Sequence, residues 1–283
     1  RFTMTRSSDE MSEWRSIVTS MGLDADYRAR HGSYSSVHVV DFLLRDGSHS
    51  GSLRSVVESA RQNARLTRTA ITREVWEAVN EFWISNNELL RRQVREAELP
   101  NVLERIRRNA SMVRGAMHNS MIRNDIYNFA RIGNFIERAD NMARLLDTKY
   151  YVLLPSVSFV GSSLDNVQWE AVLRSTSAYS AYRWLHAGKT SAAGIAEFLI
   201  LDPRFPRSLV FCYAKLCDNL RHLAGAHAPE SASLNAVVEI YEHLTNSSVT
   251  QIFEEGLHEF LVDFSARNRD VGTLVETEYR FIA

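Results

Sequence analysis

EWRSIVTSMGLDADYRARH (residues 13–31), written above QWEAVLRSTSAYSAYRWLH (168–186), decides the fold. Trp14 falls on Trp169, Tyr27 on Tyr182, Arg28 on Arg183 and His31 on His186, all 155 residues apart. Upstream, Ser7 and Ser8 fall on Ser162 and Ser163 in the same register. After a one-residue insertion the match continues at an offset of 156. VVDFLLRD (39–46) pairs with IAEFLILD (195–202), Ser52-Leu53 with Ser208-Leu209, and Asn63 and Arg65 with Asn219 and Arg221. A single register held over about 50 residues marks an internal duplication. Beyond Arg68 it fades. The expectation is one helical domain over residues 1–283, made of two divergent repeats: repeat 1 over about 1–125 and repeat 2 over about 126–283. The second copy follows a charged helix, FIERADNMARLLD (135–147). Its counterpart in the first copy would precede residue 1, so repeat 1 is expected to lack its first helix.

The repeated unit reads as helix throughout. Twelve glycines and five prolines are too few for an all-β protein built on turns. Residues 51–98 carry apolar positions at helical spacing, among them Leu53, Val57, Ala64, Ile71, Trp76 and Val79. Further helices are expected over 101–120, with Asn101 as cap after Pro100, and from Asn124 or Asp125 to Leu154, stopped by Pro155. A Ser/Gly-rich loop over 156–165 precedes helices over 166–187, 191–201, 206–225, 231–246 and 249–266, with Pro206 in the first turn of its helix. The fold class is all-α, a helical bundle.

Composition narrows the function classes. A net charge of −1 gives no general attraction to nucleic acid or anionic lipid. The longest apolar runs, such as FLIL (198–201), are far too short to span a bilayer, and no targeting or lipidation motif is visible. Cys212 and Cys217 sit five apart in one helical stretch and would point in different directions, which suits unpaired thiols and a cytoplasmic protein. Of 33 basic residues only Lys149, Lys189 and Lys215 are lysine. The arginine excess fits capture of carboxylates and phosphates, and equally a GC-rich genome.

On the charged helix, Phe129, Ile132, Ile136, Ala139, Ala143, Leu146 and Tyr150 form one apolar stripe at 100° per residue. Glu137, Asn141 and Arg144 lie in one row on another side, and Arg131 and Arg138 in a second row flanked by Phe135 and Met142. A solvated face laced with ion pairs would explain the charges. Gly133 and Asn141, both poor residues in an exposed helix interior, argue for a site.

ERADNMARLLD (137–147), SLRSVVESARQNARLTRTAITREVWEAVN (52–80), VGSSLDNVQWEAVLRSTSAYSAYR (160–183) and FLILDPRFPRSLVFC (198–212) together resemble the alpha-E family of bacterial all-helical proteins, over essentially the whole chain. The resemblance implies action beside a circularly permuted ATP-grasp protein, with a transglutaminase-like peptidase as a further partner. It thus implies an ATP-dependent system forming amide or peptide bonds on a peptide-like or amino-acid substrate. No cofactor would be bound by this chain; ATP and Mg would belong to the ATP-grasp partner, and neither nucleic acid nor membrane is implied. The family's polar positions carry over to Glu137, Arg138 and Asn141 as catalytic candidates. Arg61, Asn63, Arg65, Arg144, Arg207 and Ser208 are substrate-binding candidates, the arginines for a carboxylate or acyl phosphate. The alternative is a non-catalytic scaffold that docks the ligase or a carrier peptide.

Other constellations carry less. Glu255 and His258 have the Glu-x-x-His spacing of di-iron bundles, but no second copy exists, so no metal site is expected. DPRFPRSL (202–209) places Arg207 and Ser208 at a helix start, suited to an anion or to a capped turn with Arg207 on Asp202. No Walker loop, GxGxxG or GxSxG occurs, so the chain is not expected to activate ATP alone.

Overall fold

A computed structural model describes residues 10–152, 163–187, 190–227 and 231–281. The described residues contain no strand, in agreement with the all-α expectation. The α-helices are α1 (Glu10–Ser20), α2 (Asp24–Arg28), α3 (Ser36–Leu44), α4 (Leu53–Leu66), α5 (Arg73–Leu89), α6 (Leu99–Ser120) and α7 (Asp125–Val152). They continue with α8 (Ser163–Ser175), α9 (Tyr179–Leu185), α10 (Ala192–Ile200), α11 (Leu209–His227), α12 (Ala232–Asn246), α13 (Val249–Glu255) and α14 (Leu257–Glu278). A 3₁₀ turn, Glu96–Glu98, leads into α6.

The chain divides into two compact units, one ending at Tyr127 and one beginning at Asn128. In the first, α4, α5 and α6 pack side by side. Its apolar interior is three small clusters, around Phe42, Leu90 and Val75. In the second, α7 to α14 share one large core that includes Trp169, Phe198, Leu199, Tyr213 and Leu216.

Local geometry recurs between the units at the sequence offset. α10 begins and ends 156 residues after α3, and α11 begins 156 residues after α4. Ser35 and Ser191 cap α3 and α10, each accepting from the amide three residues on. The Tyr27 ring lies 4.8 Å from His31 and edge-on to Phe42 at 5.2 Å; Tyr182 lies 4.3 Å from His186 and 5.5 Å from Phe198. Phe42 stacks on His49 at 4.3 Å as Phe198 stacks on Phe205 at 4.8 Å.

Several expected boundaries move, each for a local reason. The helix expected over 51–98 breaks between α4 and α5, because the Thr72 hydroxyl accepts from the Val75 amide and starts a new helix. Asn101 is not a cap, since α6 starts at Leu99 with Pro100 in its first turn, where a missing N–H is harmless. The helix expected over 166–187 is interrupted at Thr176–Ala178, where Ser177 takes φ 59°. That expected over 249–266 breaks at Gly256, whose φ of +103° suits glycine alone. Pro206 precedes α11 rather than entering it, because Ser208 is the cap. Of the loop expected over 156–165, residues 163–165 are helical and the rest lie outside the described residues, as do Ser7, Ser8, Ser162 and Lys189.

Candidate functional site

α7 is a core helix with one polar side. Ile132, Phe135, Ala139, Met142, Ala143 and Leu146 are all buried, so the core-facing arc is wider than the single stripe expected and takes in Phe135 and Met142. Beneath it runs a buried polar link: Tyr213 Oη donates to Asn268 Oδ1 at 3.0 Å, and Asn268 Nδ2 donates to the Ile136 carbonyl at 3.1 Å. The link fixes α7 against α14 in a place where unpaired polar atoms would be penalised. Burial pushes the Tyr213 hydroxyl far above its ordinary value.

The polar side carries the candidates. Arg138, half-buried, donates through Nη1 to the Pro206 carbonyl at 2.9 Å and through Nη2 to Asn134 Oδ1 at 3.0 Å. Its guanidinium lies 5.1 Å from the Phe135 ring centre, and that of Arg131 lies 4.5 Å from the same ring. The bond to Pro206 ties α7 to the turn before α11, where Arg207 is exposed and Ser208 is fully buried. Arg138 and Arg207 both act on the buried Cys212 thiol, which burial nevertheless pushes up to about 12. Two positive charges therefore converge on the start of α11.

Glu137 is exposed, and its neighbours do not neutralise it. Arg144, expected in its row, turns instead to Asp140, with Nε 2.6 Å from Oδ2. Asn141 donates from Nδ2 to the Glu137 backbone carbonyl at 2.7 Å. Desolvation raises the Glu137 carboxyl above its usual range; Asp140 pushes the same way and Arg144 partly opposes both. The result is a reachable carboxylate that holds a proton more readily than a free glutamate.

The remaining candidates fall differently. Ser208 Oγ donates to the Asp202 carbonyl at 2.7 Å and accepts from the Phe211 amide at 3.1 Å, so its hydroxyl is engaged in capping α11. Asp202 is held not by Arg207 but by Arg204, 2.7 Å away, which keeps its carboxyl low. This leaves Arg207 free of that role. Arg61, Asn63 and Arg65 belong to α4 in the first unit. There Arg61 lies 4.1 Å from the Trp83 ring centre and donates from Nε to Asn80 Oδ1 at 2.9 Å, while Asn63 and Arg65 are exposed. Glu255 and His258 are separated by the break at Gly256, and His258 pairs with Asp147 on α7. Among the described residues no cluster of potential metal ligands forms.

The family model for Alpha-E, described as a predicted alpha-helical domain with a conserved ER motif, matches residues 1–279. The chain belongs to the Alpha-E family. No curated protein and no solved structure matches it. This Alpha-E chain contains two Glu-Arg dipeptides. Glu104-Arg105 lies exposed on α6, with Glu104 paired to Arg107 at 2.6 Å. Glu137-Arg138 bridges α7 to the α11 turn and carries the raised carboxyl. No described helix of the Alpha-E chain is long and apolar enough to cross a membrane.

Three features of this site escaped the sequence reading. The Asp140–Arg144 pair is an i,i+4 match that competes with the Glu137 row. Asn268 is a polar residue among the buried Leu261, Phe264, Val271 and Val275 of α14, and that interruption was its signal. Lys149, one of only three lysines, is buried against Asp165 and 4.3 Å from the Trp169 ring centre.

Proposed function

We propose that this chain is the helical component of an ATP-dependent system that forms amide or peptide bonds, acting with an ATP-grasp ligase, and that α7 and the α11 turn form its working surface. The observation that carries this reading is Glu137: a reachable carboxylate whose pKa is raised and which forms no ion pair among the described residues, next in sequence to Arg138, which ties α7 to the turn that carries Arg207. A carboxylate poised upward is suited to accept a proton from an incoming ammonium group. With Arg207, the Arg138 guanidinium would hold the carboxylate or acyl phosphate of the other reactant. ATP and Mg would be supplied on the ligase. We further read the two units as copies of one ancestral helical unit, supported by the matched caps and ring pairs.

A second reading, a docking surface for the ligase or a carrier peptide, is favoured by the exposure of Glu137, Asn141 and Arg207. ADP release by the ATP-grasp partner, with candidate amine and acid substrates, separates the two. It is measured without this protein, with it, and with its Glu137→Gln form. Catalysis requires that amide product depend on the protein and on Glu137. Equal stimulation by both forms identifies a scaffold, and no effect of either discards both readings.

A further inference from the structure

A cavity of about 230 Å³ opens in the first unit, between the end of α5, the turn after it and the start of α6. Its floor is aliphatic. Leu89 packs there with Val94 and Val102, which are buried in the small cluster around Leu90. The turn is rigidly held: the Leu90 carbonyl accepts from Arg45 Nε at 3.0 Å and from Arg54 Nη2 at 3.2 Å. Glu98 on the rim takes Arg95 at 2.5 Å and Arg92 at 3.3 Å, and the Arg95 bond holds its carboxyl down at about 2. Those three charges staple the turn to itself.

Glu88 and Arg105 differ from them. Both line the cavity, one from α5 and one from α6, and both are exposed. Neither forms an ion pair among the described residues, and Arg105 makes only a long contact, 3.5 Å, to Ser85 Oγ. Two opposite, uncommitted charges thus flank an apolar floor.

We propose that this cavity binds a small aliphatic amino acid as its zwitterion. The ammonium group meets Glu88, the carboxylate meets the Arg105 guanidinium, and the branched side chain covers Leu89, Val94 and Val102. The volume is below the roughly 300–1,000 Å³ of pockets for drug-sized ligands and suits a ligand of amino-acid size. Because the rim charges face water and are screened, affinity is expected on the order of millimolar. The site lies in the first unit and does not depend on the function proposed for α7.

Titration of the full chain with L-leucine, followed by two-dimensional ¹⁵N NMR, tests it without nucleotide or any second protein. A failure here therefore leaves the ligase reading untouched. Saturable shifts should centre on Leu89, Val94 and Val102. N-acetyl-leucine and leucinamide each lack one charge, and glycine lacks the side chain; each should bind about tenfold more weakly or worse. Glu88→Gln and Arg105→Gln should weaken leucine similarly while leaving the rest of the spectrum unchanged, since both side chains are exposed. The proposal is overturned if leucine gives no saturable shift, if the shifts lie elsewhere, or if N-acetyl-leucine and leucinamide bind as well as leucine.

Discussion

Replacing Lys149 with methionine should be among the most damaging single changes in the second unit. The Lys149 ammonium and the Asp165 carboxylate are each only 1% exposed, and they contact each other directly. The ammonium also lies 4.3 Å from the centre of the Trp169 ring, itself 1% exposed. Burial pulls the Lys149 pKa below its ordinary value, while the Asp165 hydrogen bond and charge pull it back. A pair so placed adds little net stability over an apolar substitute, but removing one partner leaves the other charge in the core without its opposite charge, at about 3–5 kcal/mol. Methionine fills nearly the same volume, so the loss would reflect charge rather than a cavity. For a unit of this size about 2–4 °C accompanies each kcal/mol, which puts the fall in melting temperature at roughly 6–20 °C. Asp165→Asn should be comparably harmful. The double variant should recover most of the loss, with a coupling of at least about 2 kcal/mol. Thermal unfolding followed by near-ultraviolet circular dichroism gives all four corners of the cycle. Additive single losses, or losses under about 1 kcal/mol, would show that the pair is not a desolvated unit and would refute the reasoning.

Ser208→Ala removes the cap of α11 and should lower stability by about 1 kcal/mol in urea denaturation, without the loss of ligand affinity that a substrate contact would bring. Tyr213→Phe leaves Asn268 Oδ1 without its donor beneath α7 and should lower stability by about 1–3 kcal/mol, seen as a lower urea midpoint with unchanged slope. Glu137→Gln should leave stability unchanged or raise it at neutral pH. The folded carboxyl binds its proton more tightly than the unfolded one, so native stability is relatively greatest below the unfolded value of 4.5 and declines as pH rises through the raised folded pKa. The advantage of the glutamine form should therefore vanish below pH 4.5 and grow above it; a variant that is less stable at pH 7 would contradict the desolvated carboxyl.

Helices were legible in this sequence because their period is local, whereas breaks and buried polar links depend on what the chain meets elsewhere. The apolar positions from Leu53 to Val79 keep helical spacing through Ile71, so periodicity passed over a turn that the Thr72 cap imposes. Gly256 stood in plain view, but its φ of +103° is a property of the connection and not of composition. The matched sequence positions Tyr27 and His31, like Tyr182 and His186, are ring neighbours in the structure, at 4.8 and 4.3 Å. At the candidate site the helical wheel placed Glu137, Asn141 and Arg144 on one side, yet it could not choose between Glu137 and Asp140 as the arginine's partner. That choice bears most on function. Had Arg144 turned to Glu137, the carboxyl would have been held low, as an ordinary ion-paired glutamate. Turned to Asp140, it leaves the Glu137 carboxyl raised and reachable, the state that the proposed role in accepting a proton requires.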